Sequence, residues 1–230
     1  MSGRFTRVGS MPQPTDSPSP APTPAAAAEV FGDRLALAEA YHRSLATVAA
    51  ERGFIGPKEV GRLWERHLLN CGVIGEAFAE EMDVADIGSG AGLPGIPLAI
   101  ARPDLHVTLI EPLLKRSTYL REVVAELGLD NVSVLRGRAE EQKTGLYEAV
   151  TSRAVAPLGK LAGWSLPLVK VGGVMIAMKG ESVADELERD SAEIARAGGG
   201  EAEIFTVGEG ILEQPATLIR VVRTRESGRR

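Results

Sequence analysis

One stretch constrains the fold more than any other: Asp86-Ile87-Gly88-Ser89-Gly90-Ala91-Gly92-Leu93-Pro94-Gly95. It follows an apolar run at 84–87 and precedes a helical one at 96–101, so it reads as a strand-to-helix turn. Glycines there let the backbone adopt positive φ and pass close to a bound molecule. In an open α/β sheet such a turn lies at the carboxyl ends of the strands, where ligands bind.

The rest of the chain agrees with that frame. Strand-like runs at 84–87, 106–110, 132–135, 149–152 and 174–178 alternate with helical segments at 96–101, 115–127, 158–169 and 182–197. This alternation predicts βαβ units on a parallel sheet covered on both faces. Two more strands are expected near 202–207 and 216–222. Their connection, with Gly208, Gly210 and Pro215, is too short for a crossover helix, so they should pair antiparallel. The fold class expected is α/β, Rossmann-like, with a parallel sheet ending in an antiparallel hairpin.

A helical region precedes the sheet. Leu35, Leu37, Ala38, Tyr41, Leu45, Val48 and Ala49 recur at helical spacing within 31–52; a second helix is expected over 58–70 and a short third one over 71–80. Residues 1–28 hold six of the fourteen prolines and no apolar periodicity. They read as a disordered tail, with ordered structure starting near Val30. The division expected is a tail at 1–28, a helical region at 29–82, a Rossmann-like domain at 83–224 and a basic tail at 225–230.

Composition closes off several classes. The single cysteine, Cys71, allows neither an internal disulfide nor a zinc cluster, and no metal site is expected. No apolar stretch approaches the roughly 18 residues that cross a bilayer, and no secretory signal opens the chain. A cytoplasmic protein with no membrane partner is the default. The formal net charge of −5 argues against coating nucleic acid by bulk charge, although a local basic face is compatible with it.

The residues around the glycine-rich turn favour one kind of ligand. Glu111 ends the second strand, 23 residues after Gly88, where a carboxylate can accept both ribose hydroxyl protons. Asp86 precedes the first glycine by two positions. An acid there suits a ligand bearing an ammonium and a sulfonium and disfavours a pyrophosphate. With the terminal hairpin, this points from dinucleotides toward S-adenosyl-L-methionine.

Further segments carry a family resemblance: 63–70 (Leu-Trp-Glu-Arg-His-Leu-Leu-Asn), 86–98, 111–116 (Glu-Pro-Leu-Leu-Lys-Arg), 138–141 (Arg-Ala-Glu-Glu), 152–154 (Ser-Arg-Ala) and Lys179-Gly180, in that order. The chain resembles the ribosomal RNA small-subunit methyltransferase G family, also called glucose-inhibited division protein B, over about 31–224. Cys71 stands where members often carry serine. The resemblance implies a class I S-adenosylmethionine-dependent methyltransferase that modifies N7 of a guanine in small-subunit (16S) ribosomal RNA. It implies that Gly88 and Leu93 belong to the cofactor loop, with Asp86, Gly90, Gly92 and Glu111 around it. It implies further that Ala139 and Glu140 contact the adenosine end and that Arg153 lies beside both cofactor and reaction site. The partner implied is ribosomal RNA or the small-subunit particle, and a monomer is expected.

Guanine N7 is a lone-pair nucleophile with no proton to remove, so alignment rather than a general base is required. The chain agrees. After the fourth strand it reads Ser152-Arg153-Ala154-Val155-Ala156-Pro157, without the Asn/Asp-Pro-Pro-aromatic run used on exocyclic amines. A cysteine for attack on pyrimidine C5 is missing from the sheet.

Other residues keep two readings. His67 either contacts substrate or is packed between helices. Lys179 is a catalytic or substrate contact or a solvated lysine. Arg136 and Arg138 face RNA or pair with Glu140 or Glu141. Trp64 and Trp164 stack a base or fill the core, with the core favoured. The five arginines and one glutamate of 220–230 form an RNA-facing stripe or a solvated tail. A small-molecule methyltransferase and a cofactor-sensing binder are the competing functions.

Overall fold

The computed structural model describes residues 21–153 and 155–225. Seven strands form one sheet: β1 (Asp83–Ile87), β2 (His106–Glu111), β3 (Val132–Arg136), β4 (Tyr147–Arg153), β5 (Val169–Met178), β6 (Gly199–Val207) and β7 (Ala216–Arg223). Their order is β3-β2-β1-β4-β5-β7-β6. The first five run parallel, while β7 is antiparallel to both β5 and β6. The expected parallel core and terminal hairpin are both present. Chain order reverses between β1 and β4, which opens a crevice at their carboxyl ends.

Consecutive strand residues enter opposite cores, as period-two geometry requires. Val84, Val107, Leu109, Ala149, Ile176 and Leu218 join one cluster, under the N-terminal helices, α4 (Gly95–Ala101) and α5 (Leu114–Leu127). Ala85, Ile110, Val150, Met175, Ala177 and Ile219 join the other, under α6 (Leu158–Ser165) and α7 (Val183–Arg196). Burial on both faces explains why these strands read as continuous apolar runs rather than alternating ones.

The N-terminal region departs from the expected helices in form. It starts with α1 (Ala26–Phe31), a 3₁₀ turn at Gly32–Arg34, and α2 (Leu35–Ser44) running into a π-helical turn at Leu45–Ala49. Gly32, at φ +49°, interrupts what periodicity alone reads as one element. Ordered structure therefore begins before Val30: Ala27 is fully buried, Ala21 packs on the core, and the Thr23 hydroxyl donates to Glu39 at 2.8 Å. Small alanines carry no periodic signal yet fit a tight interface, which is why this segment reads as tail. Residues 1–20 and 226–230, the rest of the two expected tails, lie outside the described residues.

The expected helix at 58–70 is instead a 3₁₀ segment (Pro57–Arg62) followed by a π-helical turn (Trp64–Leu69) and α3 (Asn70–Gly72). The helix expected at 71–80 is only α3 and a 3₁₀ turn that ends at Ala77. Helix α6 stops at Ser165, short of 169: Pro167 lacks the N–H that a continuing helix needs, and Val169 already enters β5. Among the described residues, no helix is long and apolar enough to cross a membrane.

Candidate active site

The turn between β1 and α4 is held from three sides. Its own backbone closes it, with Gly92 and Leu93 N–H donating to the Ser89 carbonyl at 2.7 and 2.9 Å. From β2, Glu111 is almost fully buried; its Oε2 accepts from Gly90 N–H and its Oε1 from Leu113 N–H, both at 2.9 Å. From α2, the buried Tyr41 hydroxyl donates to the Ala91 carbonyl at 2.8 Å. Gly88, Gly90 and Gly92 all lie at positive φ, +67°, +60° and +104°.

Asp86 sits beneath the turn, fully buried, with Oδ2 accepting from Gly95 N–H at the start of α4 at 3.0 Å. Burial pushes its carboxyl up to about 7, against the opposing effect of the Gly95 hydrogen bond. Oδ1 has no hydrogen-bond partner among the described residues. The carboxylate thus anchors the helix start and supports the turn from below.

At the end of β4, one Arg153 Nη1 reaches His67 Nδ1 at 2.8 Å and the Cys71 sulfur at 3.5 Å. His67 Nε2 lies 2.8 Å from Glu59 Oε2. An arginine can only donate, so Nδ1 is the acceptor and the imidazole proton sits on Nε2, pointing at Glu59. Burial, then the Arg153 charge, holds the His67 pKa below its ordinary value, against the pull of Glu59. Burial likewise pushes the Cys71 thiol up to about 11, so it stays protonated beside the guanidinium. The two readings of His67 merge: it is packed in the helical region, yet it bonds the arginine of the site.

The other expected site residues are more dispersed. Ala139 is buried and Glu140 exposed in the 3₁₀ turn after β3. Arg138 is exposed and pairs with Glu140 at 3.8 Å, as one of its two readings required. Lys179 is mostly buried; its Nζ donates to the Ala156 carbonyl at 3.0 Å and to Glu186 on α7 at 2.7 Å. That pairing ties Lys179 into α7 and sets aside the reading of a solvated lysine. Trp64 is in the core, stacked on His42 with ring centroids 4.8 Å apart. Sequence reasoning missed Tyr41 and Glu59. Tyr41 stood among periodic apolar positions, and nothing in its spacing marks its hydroxyl.

The turn fits a ligand with a methionine part. A Cβ on Gly90 would have only the Gly88 carbonyl within 4 Å, at 3.9 Å, so this glycine borders open space. Glu111 keeps one lone pair on each oxygen for hydroxyl donors, and Asp86 keeps an unsatisfied buried oxygen nearby in sequence and fold. A parallel core closed by an antiparallel hairpin, with this turn at the switch point, defines a class I S-adenosylmethionine-dependent methyltransferase fold.

The comparisons with known proteins place the chain within that class. The family model described as rRNA small subunit methyltransferase G matches residues 34–214, and the chain belongs to that family. Curated relatives named ribosomal RNA small subunit methyltransferase G include one from Corynebacterium glutamicum (strain R), 68% identical and covering 86% of this chain and 91% of its own length. One from Rhodococcus jostii is 58% identical over 86% of this chain and 88% of its own. Solved structures share the fold at low identity. The S-adenosylmethionine-dependent methyltransferase SibL matches with a TM-score of 0.57 at 18% identity, over 86% of this chain and 74% of that one. M. jannaschii TYW2 in complex with AdoMet matches at 0.53 and 18%, over 67% and 74%. S-adenosyl-L-methionine is the cofactor of this family and class.

Proposed function

We propose that this protein methylates N7 of one guanine in small-subunit (16S) ribosomal RNA, as a cytoplasmic monomer. Family membership across 34–214 carries the reading, because the relatives' names specify small-subunit ribosomal RNA. The choice of N7 is supported by the state of the titratable groups around the crevice. Glu111 accepts from two backbone N–H groups, His67 has both ring nitrogens engaged, Lys179 is ion-paired, and Cys71 is a protonated thiol. None of these four stands free to take a proton, and Asp86 is fully buried beneath the turn, which suits a nucleophile that has no proton to lose.

S-adenosylmethionine, when bound, supplies the electrophilic methyl group. The chain's own residues bind and align. Gly88, Gly90 and Leu93 form the floor for the methionine part, Glu111 takes the ribose hydroxyls, and Ala139 and Glu140 flank the adenosine end. Arg153 supplies a fixed cation where cofactor and base meet. Catalysis of this kind rests on orientation and exclusion of water.

N7 methylation makes the glycosidic bond labile after borohydride reduction, and aniline then cuts the RNA there. Ribosomal RNA from a strain carrying the gene should be cut at one guanine that stays intact in the deletion strain. Identical patterns from both strains would remove the substrate assignment.

A further inference from the structure

Arg153 spends one nitrogen on the protein and keeps the rest. Nη1 uses its two hydrogens toward His67 Nδ1 at 2.8 Å and Cys71 Sγ at 3.5 Å. Among the described residues, Nε and Nη2 make no hydrogen bond. The guanidinium charge is felt at the turn: it acts on the Tyr41 phenol, whose hydroxyl donates to the Ala91 carbonyl. A long side chain gives up rotamer freedom when it is fixed, so a free arginine at a crevice mouth is not preorganised.

The fixing comes from the helical region. His67 is 8% exposed and set between Arg153 and Glu59. Neutral histidine has two tautomers, and only the one with the proton on Nε2 presents a lone pair to arginine. Glu59 selects that tautomer by accepting from Nε2 at 2.8 Å. We propose that Glu59 and His67 are a positioning pair for S-adenosylmethionine binding, holding Arg153 so that its remaining N–H groups meet the cofactor. The cofactor's carboxylate is the chemical partner that a guanidinium fork takes. The inference rests on the methyltransferase reading, though not on N7 or on RNA as the acceptor.

The arrangement is sensitive to acid. Protonation puts a hydrogen on Nδ1, which then faces an arginine N–H, and the bond that holds Arg153 is lost. The charged and titratable groups facing His67 are Arg153 from β4, Glu59 from the 3₁₀ segment, Arg66 from its own turn, and the Cys71 thiol beside Arg153. Burial, then Arg153 and Arg66, oppose protonation and Glu59 favours it, so the device holds at neutral pH and fails in acid.

The test compares full-length wild type with His67→Leu, His67→Asn, Arg153→Ala and the double variant His67→Leu/Arg153→Ala. Asparagine Oδ1 stands one bond from Cγ, as Nδ1 does, and keeps an acceptor for Arg153. Calorimetric titration with S-adenosylmethionine is run between pH 5 and 8, with melting temperature measured in parallel. His67→Leu and Arg153→Ala should each lose about tenfold or more in affinity, the double variant no more than Arg153→Ala, and His67→Asn about threefold or less. Wild-type affinity should fall more steeply toward acid than that of His67→Asn, in which Asp86 beneath the turn still titrates. Additive losses in the double variant, an Asn variant as weak as the Leu variant, or an unchanged acid limb would each overturn the pair. Calorimetry uses no RNA, so failure of the RNA assignment leaves this test intact.

Discussion

The Tyr41 hydroxyl donates to the Ala91 carbonyl at 2.8 Å, joining α2 to the turn between β1 and α4. Tyr41 is fully buried, and burial pushes its phenol well above the ordinary tyrosine range, so it remains a donor at any working pH. A Cβ on Gly92 would sit 2.8 Å from that oxygen, so helix and turn fit against each other only with glycine there. The N-terminal region therefore braces the glycine-rich turn rather than hanging from the sheet as an appendage. Tyr41→Phe keeps the ring and strands the Ala91 carbonyl, which should cost about 1–3 kcal/mol of stability. Urea denaturation reads that loss, and calorimetry should show weaker S-adenosylmethionine binding as the turn loosens. Undiminished affinity would mean that the turn holds its own shape.

Two glycines of the turn should respond differently to a side chain. A Cβ at Gly95 would lie 2.3 Å from Leu109 Cδ2 and 2.8 Å from Asp86 Oδ2, both in fully buried residues. Gly95→Ala should therefore destabilise the fold by about 1–3 kcal/mol, as overpacking does. At Gly90 the space is open, and the cost to the fold is the left-handed backbone at φ +60°, about 1–2 kcal/mol. Gly90→Val should fold and lose cofactor binding, because its methyls fill the space beside the turn. A Gly90→Val protein that binds with wild-type affinity would show that the cofactor lies elsewhere.

Arg223 turns out to be structural. It is 4% exposed, and Nη1 donates to the carbonyls of Pro167, at 3.1 Å, and Val169, pinning β7 across the entry to β5. Arg220 pairs with Glu203 across the hairpin. The stripe reading of 220–230 therefore fails for Arg223, which is buried, while Arg220 keeps an exposed side chain. Arg223→Ala should lower stability by about 1–3 kcal/mol by removing the guanidinium from the buried Val169 carbonyl, while RNA affinity at fixed salt stays unchanged. A drop in RNA affinity without a stability loss would restore the stripe.

Legibility in the sequence followed the physics of each signal. Strands buried on both faces, such as 107–110, announce themselves as apolar runs, and glycines 88, 90 and 92 mark positive φ before any coordinates exist. Helix type in the N-terminal region was not legible, since periodicity near 3.6 cannot separate an α-helix from 3₁₀ and π turns that bury the same residues. The Glu59–His67–Arg153 chain spans 94 positions, and no local pattern encodes which tautomer His67 adopts. Lys179 follows β5 as strand order predicts, but its pairing with Glu186 depends on how α7 packs. Long-range side-chain pairing is a property of the assembled layers, not of spacing.

Asp86 should impose a pH dependence of unusual sign. Its ordinary unfolded pKa is about 3.9, and burial raises the folded value to about 7. Between those values the folded protein binds more protons than the unfolded chain, so stability must fall as pH rises from about 4 to 7. Above 7 the buried carboxylate is ionised and the cost is complete; below 4 both states are protonated and it vanishes. Asp86→Asn keeps an acceptor for Gly95 N–H and cannot ionise, so it removes this slope. The stability of wild type relative to Asp86→Asn should decline from pH 5 to pH 7, by at most about 1.4 kcal/mol per pH unit for one proton. Urea denaturation of both proteins at pH 5.0, 6.0 and 7.5 measures the difference. Parallel curves would mean that Asp86 ionises in the folded protein as freely as in the unfolded chain. They would also mean that its unpartnered oxygen is not held in the dry interior that the fold gives it.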